Sequence, residues 1–472
     1  AQKGIVVAEG FDYEIIEKMN KPHDNLSLLV TLKSTGEVEK TVVASVMESL
    51  TVDPDNSSDW KRLKEIFVNP SLQIVSFTIT EKGYNLKDNK GSYYPAVQAD
   101  FEAGPENTQS YIGKLVSLVF ERYKAGKLPL ALVSMDNCSH NGTRLHDAVV
   151  DYARNWVEKG LVEEGFLSYL EDPGFISFPW SMIDKITPRP DGNVKEMLRE
   201  EGFEDVDDII TSKNTYVAPF VNAEEPQYLV IEDIFPNGRP DIYDKGVMFS
   251  DRETVDKVEK MKVCTCLNPL HTALAIYGCL LDYTLISEEM KDPLLKKMVE
   301  TIGYVEGLPV VVDPKIIKPK EFIDEVIGVR LPNPFMPDTP QRIATDTSQK
   351  LSIRFGETIK AYDKDENLDV GDLKIIPLVL AGWLRYLMGI NDRGETMELS
   401  SDPLLEELKF QLEEIKLGDS EGYAEKIKPI LSDEKIFGVD LYSVGLGERV
   451  ESYFGELIES EGAVEKTLRK YL

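Results

Sequence analysis

Cysteine is scarce in this chain: Cys138, Cys264, Cys266 and Cys279 are the only four in 472 residues. That excludes a disulfide framework and makes a reducing, cytoplasmic setting the expectation. Basic residues are outnumbered, 53 Lys and Arg against 83 Asp and Glu, for a formal charge of -30. Such a chain repels phosphate backbones, so no nucleic-acid partner is expected. Long apolar runs are missing too. The longest, Ile375 to Ile390, is interrupted by Arg385 and is too short to cross a bilayer. It reads as a buried helix with Pro377 near its start, and no membrane partner is expected. The opening stretch, AQKGIVVAEG, has no basic region ahead of an apolar core, so no signal peptide is expected. There is no internal repeat and no low-complexity tract. What is present is a globular composition, 42% hydrophobic and 29% charged, in a chain long enough for two domains.

The first half alternates strand-like and helix-like segments. Ile5 to Ala8, Ser27 to Leu32, Thr41 to Val52, Ile74 to Thr80, Leu128 to Val133 and Gln227 to Glu232 read as strands. Ser110 to Tyr123 carries Ile112, Leu115, Leu118, Val119 and Tyr123 on one helical stripe. Gly142 to Val157 does the same with Leu145, Val149, Tyr152 and Trp156. Strands separated by helices of this length imply parallel βαβ units. From about Glu259 the pattern turns helical: Pro269–Tyr283, Ser287–Thr301, Thr339–Lys350, Lys374–Met388, Pro403–Leu417 and Leu446–Lys470. Asp363 to Asp372 reads as a charged surface loop. The reading is an α/β domain over residues 1–258 and a mainly α-helical domain over 259–472.

The stretch richest in chemistry is Glu259-Lys-Met-Lys262-Val-Cys-Thr-Cys-Leu-Asn268-Pro-Leu-His271. Asn268-Pro269 is a helix start, with Asn as cap and Pro at the first position. Asn268 and His271, three apart, project from neighbouring points at the positive end of that helix. Lys262 lies six residues earlier. On spacing alone the plain reading prevails: a capping Asn, a core His and a surface Lys. The alternative is alcohol oxidation. There a lysine with its pKa lowered by desolvation takes the hydroxyl proton as hydride leaves the carbon, while Asn and His stabilise the alkoxide. A zinc reading of Cys264, Cys266 and His271 lacks a fourth ligand, so no metal is expected.

The chain resembles the long-chain mannitol dehydrogenase family, with its uronate reductase branches. Lys262, Leu267, Asn268 and His271 match the family's Lys, short apolar stretch and Leu-Asn-x-x-His, and Glu259 matches an acidic position before the Lys. Four further segments agree, in family order: Thr80-Glu-Lys-Gly-Tyr84, Ser134-Met-Asp136-Asn137-Cys-Ser-His-Asn141-Gly142, Phe178-Pro-Trp-Ser-Met-Ile-Asp184-Lys-Ile-Thr-Pro188 and Ile231-Glu-Asp-Ile-Phe-Pro-x-Gly-Arg239-Pro. The resemblance covers residues 1 to about 355. It implies a Rossmann-like α/β domain, NAD as cofactor, and Lys262, Asn268 and His271 as the catalytic set. Three departures stand out. The family's first strand and Gly-x-Gly-x-Phe-x-Arg turn are missing, and the chain opens at what resembles the second strand. Trp180 stands where the family has an Asn that holds the reacting oxygen, and an indole N–H donates but cannot accept. The Lys262-to-Asn268 interval is one residue longer than usual, which leaves Lys260 as a substitute for the base.

On the cofactor side, Glu9 ends the strand Ile5–Ala8. A carboxylate there suits a ribose 2′-hydroxyl and disfavours a 2′-phosphate, so NAD is expected over NADP; a solvated loop carboxylate is the plain alternative. Asp136 and Asn137 follow an apolar strand, where open α/β sheets bind ligands, and Asn137 suits a nicotinamide contact. On the substrate side the resemblance points to Trp180, Asp184, Lys185, Lys350 and Arg354, with a structural Asp184–Lys185 pair and a solvated Arg354 as alternatives. Lys350 and Arg354, four apart, make a carboxylate clamp if the helix persists. Trp180 and the Cys-Leu-Asn-Pro-Leu-His variant look closest to a fructuronate reductase branch. The expected substrate is therefore a small sugar acid, with D-fructuronate and D-mannonate as the pair and tagaturonate and altronate next. A mannitol-type polyol dehydrogenase and a non-catalytic acidic binding protein are the alternatives.

Overall fold

The structure is a computed structural model, and it describes residues 4–242, 246–419 and 421–472. The chain forms two compact units: Ala1–Leu32 with Val38–Asp256, and Lys33–Glu37 with Lys257–Leu472.

The first unit is α/β. Strand β1 (Ile5–Glu9) is followed by the antiparallel pair β2 (Ser27–Leu32) and β3 (Val38–Val43), then by β4 (Val46–Thr51), which runs parallel to β1. The stretch Thr41–Val52, expected as one strand, is thus two: it breaks at Ala44–Ser45 and serves two different sheets. Strands β5 (Ile74–Phe77), β6 (Leu130–Ser134) and β7 (Ile176–Ser177) pair in parallel. Parallel neighbours need crossovers, and the helices Tyr111–Lys124 and Asn141–Glu158 supply them within a few residues of the expected bounds. All five residues of β6 are buried, as a strand covered on both faces requires. Downstream, β8 (Ser181–Asp184) is followed by a short pair, β9 (Ile209–Ile210) with β10 (Tyr216–Val217). Then come β11 (Phe220–Glu224), which joins β2, and β12 (Tyr228–Glu232), which pairs with β8 and with β13 (Val247–Ser250).

Two buried polar hubs tie this unit together. The Arg122 guanidinium spends all five donors on backbone carbonyls. They belong to Phe67, Asn69 and Leu72 ahead of β5, and to Leu128 and Pro129 ahead of β6. Asp100, fully buried, accepts from Gln109 N, Ser110 N, Ser110 Oγ and Tyr152 Oη.

The second unit is helical. Its centre is the helix Asn268–Leu280, buried from Pro269 onward except at His271, packed on the wholly buried helix Ile375–Leu387. Their approach is close because Gly382 lacks a side chain: a Cβ there would sit 2.8 Å from the Tyr277 ring. The Tyr277 hydroxyl donates to Leu378 O at 2.8 Å. Glu306 closes the N-terminus of Ile375–Leu387, accepting from the amides of Lys374, Ile375 and Ile376 at 2.7, 2.7 and 2.8 Å. The continuous helical run Arg252–Leu280 is long and apolar enough, by length and composition, to cross a bilayer. Its most apolar window is 72% buried inside the fold, as for a core helix.

Several expected helices are shorter than their apolar pattern. Ser287–Thr301 divides into Ile286–Glu289 and Pro293–Glu300, because Asp292 caps the second piece and Pro293 starts it. Leu446–Lys470 divides at Gly462, whose φ of 75° suits glycine. The helix Tyr423–Leu431, unforeseen in the sequence, carries Pro429 inside it.

One core residue has a consequence for stability. Glu289 is fully buried, neither carboxyl oxygen has a hydrogen-bond partner among the described residues, and its carboxyl lies against Gly278. Burial, reinforced by Asp292, pushes its pKa well above the usual carboxyl value, so it is held neutral. In the unfolded chain the same group ionises normally, so the unfolded state binds fewer protons between the two pKa values. Stability contributed by the neutral form is therefore full below the unfolded value and declines as pH rises, by about 1.4 kcal/mol per pH unit. Urea unfolding between pH 5 and 8 should show this slope, and Glu289→Gln should flatten it. Parallel curves for the two proteins would show Glu289 to be ionised in the fold.

Candidate active site

The residues singled out in the second unit converge on three packed elements. The first is the π-turn Met261–Cys266, which continues the helix Arg252–Lys260 and carries Lys262. The second is the N-terminus of Asn268–Leu280. The third is a further π-turn, Ser352–Gly356, which carries Arg354 and packs on both others. A π-turn accommodates one residue more than the α-helix it interrupts and is often found at functional sites. The turn at Met261–Cys266 includes Lys262 and ends two residues before Asn268. Lys262 is only 3% exposed, so it is no surface lysine. Lys260 is exposed.

Asn268 differs from its sequence reading. The cap position is Leu267, with φ -129° and ψ -61° and no side-chain cap bond; Asn268 is the first helical residue. Its carbonyl accepts from Thr272 Oγ1 at 2.9 Å, and its side-chain amide is not spent on the helix end. Thr272 Oγ1 in turn accepts from Arg354 Nη1.

His271 Nε2 is buried and has no hydrogen-bond partner among the described residues. The nearest carboxylate oxygen, Asp338 Oδ2, is 3.7 Å away. Burial pushes the imidazole pKa down to about 4; Asp338 opposes the shift, and Arg354, Arg342 and Arg330 reinforce it. Arg354 is lowered by burial to about 10 and forms no ion pair with a described carboxylate. Lys350 is lowered by burial and by the neighbouring Arg354, against Asp346 and Asp402. The helix expected over Thr339–Lys350 gives way to short turns, Pro340–Ile343 and Thr347–Gln349, with Asp346 left-handed between them at φ 53°. Lys350 and Arg354 still meet, through the bond from Arg354 N to Lys350 O at 2.9 Å. The Lys350 amine donates to Thr345 O.

Arg342, Asp338 and Arg330 belong to this cluster and are absent from the sequence reading. Arg342 pairs with Asp338, itself 7% exposed. The signal was present as Asp338-Thr-Pro-Gln-Arg342: Thr339 caps the turn by accepting from Arg342 N, which puts Asp and Arg on one side.

In the first unit the cofactor-side residues are arranged differently from expectation. The Asp136 carboxylate is consumed by Ile79 N at 2.9 Å, Thr80 N at 2.9 Å and Tyr84 Oη at 2.5 Å. It braces the loop after β5, where the expected strand Ile74–Thr80 stops at Phe77 and Thr80 turns to φ 62°. This carboxylate therefore has a structural role in the fold. Asn137 is exposed beside it. Glu9 Oε1 accepts from Phe11 N and Asp12 N, at 2.7 and 3.0 Å, just beyond β1.

Trp180 donates its indole N–H to Thr143 Oγ1 at 2.9 Å, so that donor is taken within the fold. Its ring stacks on His140 with centroids 4.2 Å apart and lies 4.9 Å from the Arg252 guanidinium. Lys185 donates to Glu224 O at 2.8 Å, and Asp184 is buried. Two of the sequence motifs lock together at Asn141. Its amide nitrogen donates to Asp136 O and Ser181 O, and its amide oxygen accepts from Ser181 N. Gly142 beside it lets the backbone approach: a Cβ there would lie 2.6 Å from Phe178 O. Among the described residues no three His, Cys, Asp or Glu side chains form a ligand group, Cys264, Cys266 and His271 included.

Comparison with known proteins gives a consistent picture. Residues 3–244 match the model of the mannitol dehydrogenase Rossmann domain, and residues 254–455 that of the mannitol dehydrogenase C-terminal domain. D-mannonate oxidoreductase of Thermotoga maritima is 57% identical over 469 residues, covering 99% of this chain and 86% of that protein. Among solved structures, Pseudomonas fluorescens mannitol 2-dehydrogenase, in ternary complex with NAD and D-mannitol, is similar with a TM-score of 0.66. It is 25% identical, over 97% of this chain and 85% of that one. A substrate-free D-sorbitol dehydrogenase shares the fold, with a TM-score of 0.76 at 24% identity over 98% of this chain and 88% of that one. From its α/β first unit to its helical second unit, the chain belongs to the mannitol dehydrogenase family.

Proposed function

We propose that this chain is an NAD-dependent oxidoreductase that interconverts D-mannonate and its keto acid, D-fructuronate, with Lys262 as the proton-transfer group. The observation that supports an acidic substrate is Arg354, whose charge acts on His271: burial lowers its pKa to about 10 and no described carboxylate forms an ion pair with it, in a chain whose formal charge is -30. Holding such a cation in the fold is costly unless an anion is to be bound. The identity to a D-mannonate oxidoreductase points the same way.

The residues of the first unit fit the adenosine side of a dinucleotide. Glu9 stands at the carboxyl end of parallel strand β1, where such sheets bind ligands, and the bonds to Phe11 and Asp12 engage only its Oε1. Asn137, past β6, is the candidate nicotinamide-side contact. Bound NAD supplies the hydride donor or acceptor. The chain supplies the rest. In the reducing direction the Lys262 ammonium gives a proton to the carbonyl oxygen as it gains negative charge, and the neutral amine is then reprotonated from solvent. The Asn268 amide and the His271 ring donate hydrogen bonds to that oxygen. Arg354 and Lys350 take the substrate carboxylate.

A substrate panel tests this reading. D-mannonate, D-altronate and D-mannitol are each offered with NAD and with NADP, before and after exhaustive chelation. Oxidation of D-mannonate with NAD, undiminished by chelation, is the expected result. Turnover of D-mannitol without either sugar acid would overturn the substrate assignment, and no turnover at all would favour a binding protein.

A further inference from the structure

Asp338 is the carboxylate that reaches both His271 and a cation of the cluster. Its Oδ1 pairs with Arg342, and its Oδ2 faces His271 Nε2 at 3.7 Å. Its place is fixed from both sides: its carbonyl accepts from Ile286 N at 2.9 Å, and Thr339, next in sequence, caps the turn that carries Arg342.

A neutral imidazole has one protonated and one bare nitrogen, and the surroundings choose between them. A bare nitrogen lone pair facing a carboxylate oxygen is repelled, whereas an N–H facing it is attracted. At 3.7 Å the attraction acts, yet the separation exceeds a hydrogen bond, and Nε2 has no other partner among the described residues. The N–H is thus chosen but not consumed. We propose that Asp338 is a positioning residue that sets His271 in the Nε2–H tautomer, so that Nε2 offers a donor and not a lone pair to the substrate oxygen. This rests on the role given to His271 above. A bare Nε2 would instead present its lone pair to an oxygen gaining negative charge, which is the wrong sign for a stabilising contact. The charges of Arg354, Arg342 and Arg330 also act on the ring and, with burial, disfavour its protonated form. This leaves the tautomer as the quantity to be controlled.

The test needs no substrate. The chain has four histidines, His23, His140, His146 and His271, so ring 15N spectra of the ligand-free protein at pH 7 are few-line spectra. Comparison with His271→Gln identifies the relevant pair. In the wild type, Nε2 of His271 should resonate as a protonated, pyrrole-type nitrogen and Nδ1 as a bare one. Asp338→Asn should shift this pair toward a mixture or the reverse assignment, and lower kcat for the reactive sugar acid roughly 100-fold, the scale of losing one oxyanion donor. A bare Nε2 in the wild type overturns the proposal even if the variant does not fold. So does an Asp338→Asn protein with unchanged tautomer and unchanged kcat. Failure of the substrate panel, by contrast, would leave the wild-type spectrum as it is.

Discussion

Lys262→Ala is expected to lower kcat by a factor of 10² to 10⁴, the range for loss of a positioned proton-transfer group, while NADH still binds. The expectation rests on geometry. The lysine is buried in a π-turn that packs against the helix bearing Asn268 and His271. Removing a group that acts only in proton transfer lowers kcat and kcat/KM together and leaves cofactor affinity alone. The sign of the pH dependence is set by the direction of reaction. Alcohol oxidation needs the neutral amine, so its rate rises with pH until the lysine has lost its proton. Ketone reduction needs the ammonium and falls over the same range. Both limbs should vanish in Lys262→Ala, and a small primary amine in the buffer should restore part of the rate. Lys260→Ala, at an exposed position two residues earlier, should behave as wild type. A near-normal Lys262→Ala together with an inactive Lys260→Ala would transfer the role to Lys260.

Arg354→Met is the second large effect, and it should separate acids from polyols. Arg354 is held at a cost: burial lowers its pKa to about 10, its Nη1 meets only the hydroxyl of Thr272, and no described carboxylate pairs with it. A bound sugar acid would supply the missing counter-ion. Truncating one partner of a buried, hydrogen-bonded charge pair costs about 2–5 kcal/mol, or roughly a 30- to 4,000-fold loss in kcat/KM for the acid. A neutral polyol never makes that contact, so any residual turnover of D-mannitol should be unchanged. The ligand-free variant should also be at least as stable as the wild type, because it no longer buries an uncompensated cation. Equal losses on acid and polyol would show that Arg354 serves packing alone.

The fold class was legible in the sequence because periodicity survives wherever one face is buried. The helices Tyr111–Lys124, Asn141–Glu158 and Ile375–Leu387 match their apolar stripes closely. Boundaries failed where a local interaction outweighed the pattern: Asp292 and Pro293 restarting a helix, and Asp136 pulling Ile79 and Thr80 out of β5. For the site, the motifs named Lys262, Asn268, His271, Lys350 and Arg354, all of which lie on or beside the three packed elements. They did not name Asp338, Arg342 or Arg330. The interactions of these three with His271 span about 60 to 70 residues of chain and depend on tertiary packing. Asp136 and Trp180 are the converse. Their motif was visible, but only coordinates reveal that Tyr84 and Thr143 already occupy their polar atoms.

The five carbonyls gripped by Arg122 have a consequence for how this scaffold can be altered. They lie on the two segments that enter β5 and β6, so the amino ends of those strands are stapled to one another by a single side chain. Inserting or deleting residues between Phe67 and Leu72, or at Leu128–Pro129, would strand guanidinium donors in the core. Graftable variation is therefore confined to the opposite rim, where those same strands end, the side on which open α/β sheets generally bind ligands. Loop exchange between relatives should be tolerated there and lethal to folding at the stapled end.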